Sequence, residues 1–106
     1  MFTLAFVISI FPSAYGQQIN EVSIVSDASK LNDKAYEPNP LTINQGDTIK
    51  WTNKNFGIYT VTENKGLFGS EDLRPNQTFE HTFDSRGIFD YHCKVYPAMT
   101  EKIIVN

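Results

Sequence analysis

Apolar positions along this chain recur with a period of two, in short runs, and never hold the three-to-four spacing of an amphipathic helix. Glu21-Val22-Ser23-Ile24-Val25 alternates, as does Leu41-Thr42-Ile43. Thr48 to Asn53 sets Ile49, Trp51 and Asn53 on one face, the pattern of a half-buried strand. Ile58 to Glu63, Thr78 to Phe83, Ile88 to Cys93 and Lys102 to Val105 complete the set. Breaker clusters separate them: Glu37-Pro38-Asn39-Pro40, Asn44-Gln45-Gly46-Asp47, Lys54-Asn55-Phe56-Gly57 and Asp84-Ser85-Arg86-Gly87. Asp27 to Asn39 reads as a polar loop, and Asn64 to Asn76, with Gly66, Gly69 and Pro75, as a second long one. The pattern predicts an all-β fold, an antiparallel Greek-key sandwich or barrel of about seven to eight strands. A hairpin centred on Ser85-Arg86-Gly87 is expected to place His81 opposite Tyr91.

The N-terminus breaks this pattern. The first sixteen residues carry no charge, and Leu4 to Phe11 is one apolar run followed by Pro12 and the small-residue exit Ala14-Tyr15-Gly16. That is the form of a secretory signal peptide, although no Lys or Arg precedes the run. The run is too short to span a bilayer, which needs roughly 20 apolar residues. The expected organisation is a signal peptide over 1–16 and one domain over 17–106, exported to a periplasmic, extracellular or cell-surface location. With a net charge of −3 on 106 residues, nucleic acid and anionic lipid are not expected partners, whereas a basic protein surface is compatible.

Cysteine usage sharpens the picture. Cys93 is the only cysteine, so an internal disulfide is ruled out. A lone thiol in an oxidising compartment is a liability unless it is buried or bound. Strand alternation puts Phe89, Tyr91 and Cys93 on one face, expected to point inward, with Asp90 and His92 on the other. Three residues on comes Tyr96, and three further Met99, with Pro97 stiffening the loop between them. Such a loop can aim three side chains at one point, and soft sulfur donors select copper or another thiophilic metal. His92 cannot share an ion with Cys93 without a bulge and reads as a surface residue. His81 reads as a half-buried histidine of the core edge. No nucleophile–base arrangement and no paired Cys/His zinc spacing is present, so enzymatic activity is not expected.

The stretch from Tyr36 to Asn106 resembles the small cupredoxins of the plastocyanin, pseudoazurin and amicyanin kind. Pro40-Leu41-Thr42-Ile43 and Gly46-Asp47-Thr48-Ile49-Lys50-Trp51-Thr52-Asn53 are similar to the strand pair before that family's first ligand. Tyr59-Thr60-Val61-Thr62 resembles its His-Thr-Val-Thr, and Leu73-Arg74-Pro75-Asn76-Gln77-Thr78-Phe79 its Leu-x-Pro-Gly-x-Thr-Phe segment. Gly87 to Cys93 resembles the strand that delivers the cysteine of a Cys-x-x-His-x-x-Met copper loop. The resemblance implies a β-sandwich, one-electron transfer through one copper ion, a monomer, and a redox protein partner docking around Val95, Pro97 and Ala98. It carries the metal positions onto Tyr59, Cys93, Tyr96 and Met99. The cysteine and methionine are kept, but both histidines are tyrosine. The family's Met-x-Gly is here Met99-Thr100-Glu101.

Tyrosine changes the chemistry. Imidazole binds copper as a neutral ligand near neutral pH, whereas a phenol with a pKa of about 10 must first lose a proton, at roughly 4 kcal/mol at pH 7. Phenolates are hard and anionic, and suit ferric iron better than Cu(I). Three readings of the site follow. The tyrosines fill a pocket that no longer binds metal, which leaves a metal-free interaction module. Alternatively, Cys93 and Met99 still hold copper, as a weak Cu(I) carrier. In the third, a tyrosinate centre with iron has replaced the copper site.

Overall fold

The computed structural model describes residues 18–106. The expected signal segment lies outside the described residues. Eight strands form two four-stranded sheets. The first sheet has the order β2-β1-β4-β6, built from β1 (Ile19–Ile24), β2 (Tyr36–Glu37), β4 (Thr48–Asn53) and β6 (Thr78–Thr82). The second has the order β3-β8-β7-β5, built from β3 (Leu41–Ile43), β5 (Thr62–Glu63), β7 (Gly87–His92) and β8 (Thr100–Val105).

The inward faces follow from alternation. β4 buries Ile49, Trp51 and Asn53 as its sequence predicts, and β8 buries Glu101, Ile103 and Val105. Trp51 is the centre of the core. Its ring stacks on Phe79 at 5.4 Å, and its indole N–H donates to the Tyr91 hydroxyl of the opposite sheet at 2.6 Å. A buried aromatic with its polar atom satisfied contributes a large apolar area without a desolvation penalty. Asn53 is buried at no such loss, because its amide donates to the carbonyls of Gly57 and Leu73, each at 2.8 Å.

Three sequence expectations need correction. First, the sandwich is not purely antiparallel: β1 runs parallel to β4 and β3 parallel to β8. Second, β6 and β7 do not form a hairpin. β6 pairs with β4, so His81 lies opposite Ile49, not Tyr91. The connection crosses from one sheet to the other. The Phe83 backbone is held by Gly46 and Asp47 of the turn that leads into β4, and Gly87, at φ 143°, opens β7 of the second sheet in a conformation that favours glycine. Phe83 and Phe89 then meet across the sandwich with ring centroids 5.5 Å apart. Third, the polar loop before Asn39 is partly ordered, with single 3-10 turns at Ala28–Lys30 and Asn32–Lys34 and the short strand β2.

Candidate metal centre

Cys93 follows directly on β7. The β7–β8 ladder runs in register to the pair His92 and Thr100. The next step brings Cys93 opposite Met99, where the Cys93 N–H donates to the Met99 carbonyl at 3.2 Å. The Met99 N–H donates to the Tyr96 carbonyl at 2.9 Å, which closes the intervening loop on itself. Cys93 and Met99 are both wholly buried. Thr60 supplies the other wall. Its backbone N–H donates to the Cys93 sulfur at 3.4 Å, and its hydroxyl accepts the Lys94 N–H at 2.8 Å. Its carbonyl accepts the Tyr36 hydroxyl at 2.7 Å.

The tyrosines meet as a ring pair. Tyr59 and Tyr96 have centroids 5.5 Å apart, tilted by 37°. Tyr59 is buried, while Tyr96 is 40% exposed and covers it from the solvent side. The expected strand from Ile58 to Glu63 is shorter than predicted, since only Thr62–Glu63 pairs with β7. Tyr59 instead exchanges backbone hydrogen bonds with Leu73, at 3.1 and 2.7 Å. The end of its ring lies against Gly57, where a Cβ would stand 3.0 Å from Tyr59 Cε2 and 3.1 Å from its hydroxyl. Burial raises the Tyr59 pKa above the ordinary phenol value. Hydrogen bonding with Ser29 works against that shift, while Tyr96 and Cys93 add to it.

Neither histidine replaces the missing imidazoles. His92 points outward and its Nδ1 is bonded to Asn64 Oδ1 at 2.6 Å. His81 stacks on Phe68 at 4.4 Å, on the other sheet. Among the described residues no three His, Cys, Asp or Glu side chains cluster as a metal site. The donor set thus does not fit a copper centre with two imidazoles. The soft donors it does supply are Cys93 and Met99, both buried and opposite one another across the ladder.

One buried residue was missed by sequence reasoning. Glu101 is 2% exposed, and neither carboxylate oxygen has a hydrogen-bond partner among the described residues. Burial, reinforced by the charge of Glu37, pushes its pKa up to about 9. Glu63, the other buried glutamate, is satisfied, since its carboxylate accepts the N–H groups of Lys65 and Leu67 at 2.7 and 3.0 Å. The available signal was the replacement of glycine in the Met-x-Gly pattern by Glu101.

No protein-family model matches the chain. An amicyanin of Paracoccus denitrificans is 30% identical over 94 residues, which are 84% of this chain and 70% of that protein. A plastocyanin of Synechococcus sp. (strain JA-2-3B'a(2-13)) is 33% identical over 101 residues, 81% of this chain and 74% of that protein. Among solved structures, a purple cupredoxin from Nitrosopumilus maritimus matches with a TM-score of 0.75 at 26% identity, over 82% of this chain and 99% of that one. Shared sequence over most of both chains, on the same two-sheet architecture, means that this chain belongs to the cupredoxins, the blue-copper family of amicyanin and plastocyanin.

Proposed function

We propose that this chain is an exported cupredoxin that holds one copper ion through Cys93 and Met99, with Tyr59 and Tyr96 filling the histidine positions without binding. One observation carries the reading: a wholly buried cysteine whose sulfur accepts the Thr60 N–H at 3.4 Å and which faces the equally buried Met99 across the ladder. Soft thiolate and thioether donors suit copper and other thiophilic metals, and the family's metal is copper. Copper, when bound, supplies a one-electron couple. The chain's own residues bury the sulfurs, exclude water with the Tyr59–Tyr96 pair, and fix the loop through Thr60. The family role is electron transfer, and a redox protein partner is expected to dock on the exposed Val95, Tyr96, Pro97 and Ala98. Residues 1–16 serve as the export signal in this reading.

A metal-free interaction module is the second reading. The observation that favours it is the ring pair itself, which sets two phenol rings 5.5 Å apart at the positions of the family's imidazoles. Anaerobic titration with Cu(I) and Cu(II), followed by metal analysis after gel filtration, separates the two. Copper retained at one ion per chain, and lost in Cys93→Ser, supports the first reading. A wild-type protein that retains no copper in either state overturns it.

A further inference from the structure

The position of Glu101 in β8 has a chemical consequence. Alternate residues of a strand share a face, and Met99, Glu101 and Ile103 are all buried while Thr100 and Lys102 are exposed. Met99 and Glu101 therefore point into the sandwich side by side. The register sets Cys93 opposite Met99 and Tyr91 opposite Glu101, which makes Cys93 and Glu101 diagonal neighbours. Such backbone positions lie roughly 7–8 Å apart, within reach of a long side chain.

The surroundings of Glu101 offer its carboxylate nothing that would neutralise it. Tyr36, whose hydroxyl feels both Cys93 and Glu101, is committed to the Thr60 carbonyl. Tyr91 receives the Trp51 N–H. Glu37 is another acid. Lys34 and Lys102 line the same 480 Å³ cleft as Glu101, yet neither bonds its oxygens. Buried carboxylates in native proteins are paired with a cation or a donor. Here the face that carries Glu101 also carries the sulfurs of the proposed copper site.

We propose that Glu101 is a third protein donor of the metal centre, and that it sets the site's preference for a divalent ion. This rests on the copper reading above. A thiolate and a carboxylate together carry two negative charges. A divalent ion neutralises both, whereas Cu(I) is neutralised by the thiolate alone and gains nothing from displacing the Glu101 proton. Glu101 thus favours Cu(II) over Cu(I) at this site and lowers the reduction potential.

The test is competition titration of the wild type, Glu101→Gln and Glu101→Gly with Cu(II) and, separately, with Cu(I) under anaerobic conditions. Near-ultraviolet circular dichroism checks the fold of each variant. The expected result is that both variants lose Cu(II) affinity by at least about tenfold while Cu(I) affinity changes by less than about threefold. A tenfold selective loss raises the one-electron potential by about 59 mV. X-ray absorption of the Cu(II) protein is expected to show an oxygen donor that Glu101→Gly lacks. A folded Glu101→Gln protein with unchanged Cu(II) affinity overturns the assignment of Glu101, as does a wild type that binds Cu(I) but not Cu(II). A wild type that binds neither ion overturns the copper reading, and this inference with it.

Discussion

Raising the pH is expected to destabilise the metal-free protein, and replacing Glu101 by Gln is expected to remove that effect. Glu101 titrates at about 9 in the fold against an ordinary 4.5, because it is buried and lies near Glu37. Below the ordinary value both folded and unfolded chains hold the proton, and Glu101 imposes no charge penalty. Above it the unfolded chain ionises while the folded chain keeps its proton, so stability falls with rising pH until the folded pKa is passed. The slope is about 1.36 kcal/mol per pH unit, which gives about 4 kcal/mol between about pH 5 and about pH 8. With Glu101 only 2% exposed, solvent screening does little to reduce this. Against a typical total of about 5–15 kcal/mol for a domain, the loss is large. The assay is urea unfolding of metal-free wild type and Glu101→Gln, followed by the fluorescence of Trp51, the only tryptophan. Subtracting the two curves cancels every other titrating group. The Gln amide, buried in the same place, adds an offset that does not depend on pH. A difference between the proteins that stays flat within about 1 kcal/mol over this range would show that the carboxylate finds a partner or water in solution, and would refute the reasoning.

Other outcomes follow from the ring pair and the aromatic edge. Gly57→Ala puts a methyl group about 3 Å from the Tyr59 ring, and is expected to destabilise the wild type by about 1–3 kcal/mol through overpacking. In a Tyr59→His background, whose ring is shorter, that loss is expected to shrink by more than half, and a double-mutant cycle by urea unfolding measures it. The double change Tyr59→His with Tyr96→His is expected to shift the thiolate-to-Cu(II) absorption of the copper-loaded protein to the intense band of a blue-copper centre, read by visible spectroscopy beside the wild type. Burial of His81, opposed by the charge of Asp84, lowers its pKa below the ordinary 6.5. The folded chain then keeps it neutral where the unfolded chain protonates, so stability is lost as pH falls below about 6.5. His81→Phe, which retains the stack on Phe68, is expected to flatten that acid limb in unfolding experiments.

Much of the fold was legible because one face of each long strand is buried. The alternation of Ile49, Trp51 and Asn53 fixed β4, and that of Phe89, Tyr91 and Cys93 fixed the inward face of β7. What the pattern could not supply was pairing. Thr78 to Thr82 and Gly87 to His92 alternate equally well as a hairpin or as strands of facing sheets. The choice rests on the backbone bonds that tie Phe83 to Gly46 and Asp47. Tyr59 was expected within a strand, but its partner, Leu73, lies in a loop whose approach no local pattern reveals. Glu101 escaped notice for a related reason. The final strand was drawn from Lys102, which leaves Glu101 in a loop where a carboxylate is unremarkable. The observed strand begins at Thr100, and the same period of two then turns Glu101 inward.

That one-turn difference bears on what the altered site is for. A copper centre with two imidazoles and one thiolate carries a single protein charge, because imidazole binds neutral. In this chain both imidazole positions hold phenols, while a carboxyl group enters the interior two residues after Met99. On the proposed reading, neutral nitrogen donors give way to a carboxyl oxygen that ionises when a cation displaces its proton. If the tyrosines alone had changed, the pocket would simply be closed, and a buried glutamate beside it would add only instability. Glu63 shows that this fold can bury a carboxylate with backbone N–H groups aimed at it, both donating to Oε1. Leaving Glu101 without such donors, on the face that carries both sulfurs, makes sense when a cation completes it. The substitutions at Tyr59, Tyr96 and Glu101 are then parts of one change, from a site poised between two copper oxidation states to one biased towards the more positive ion.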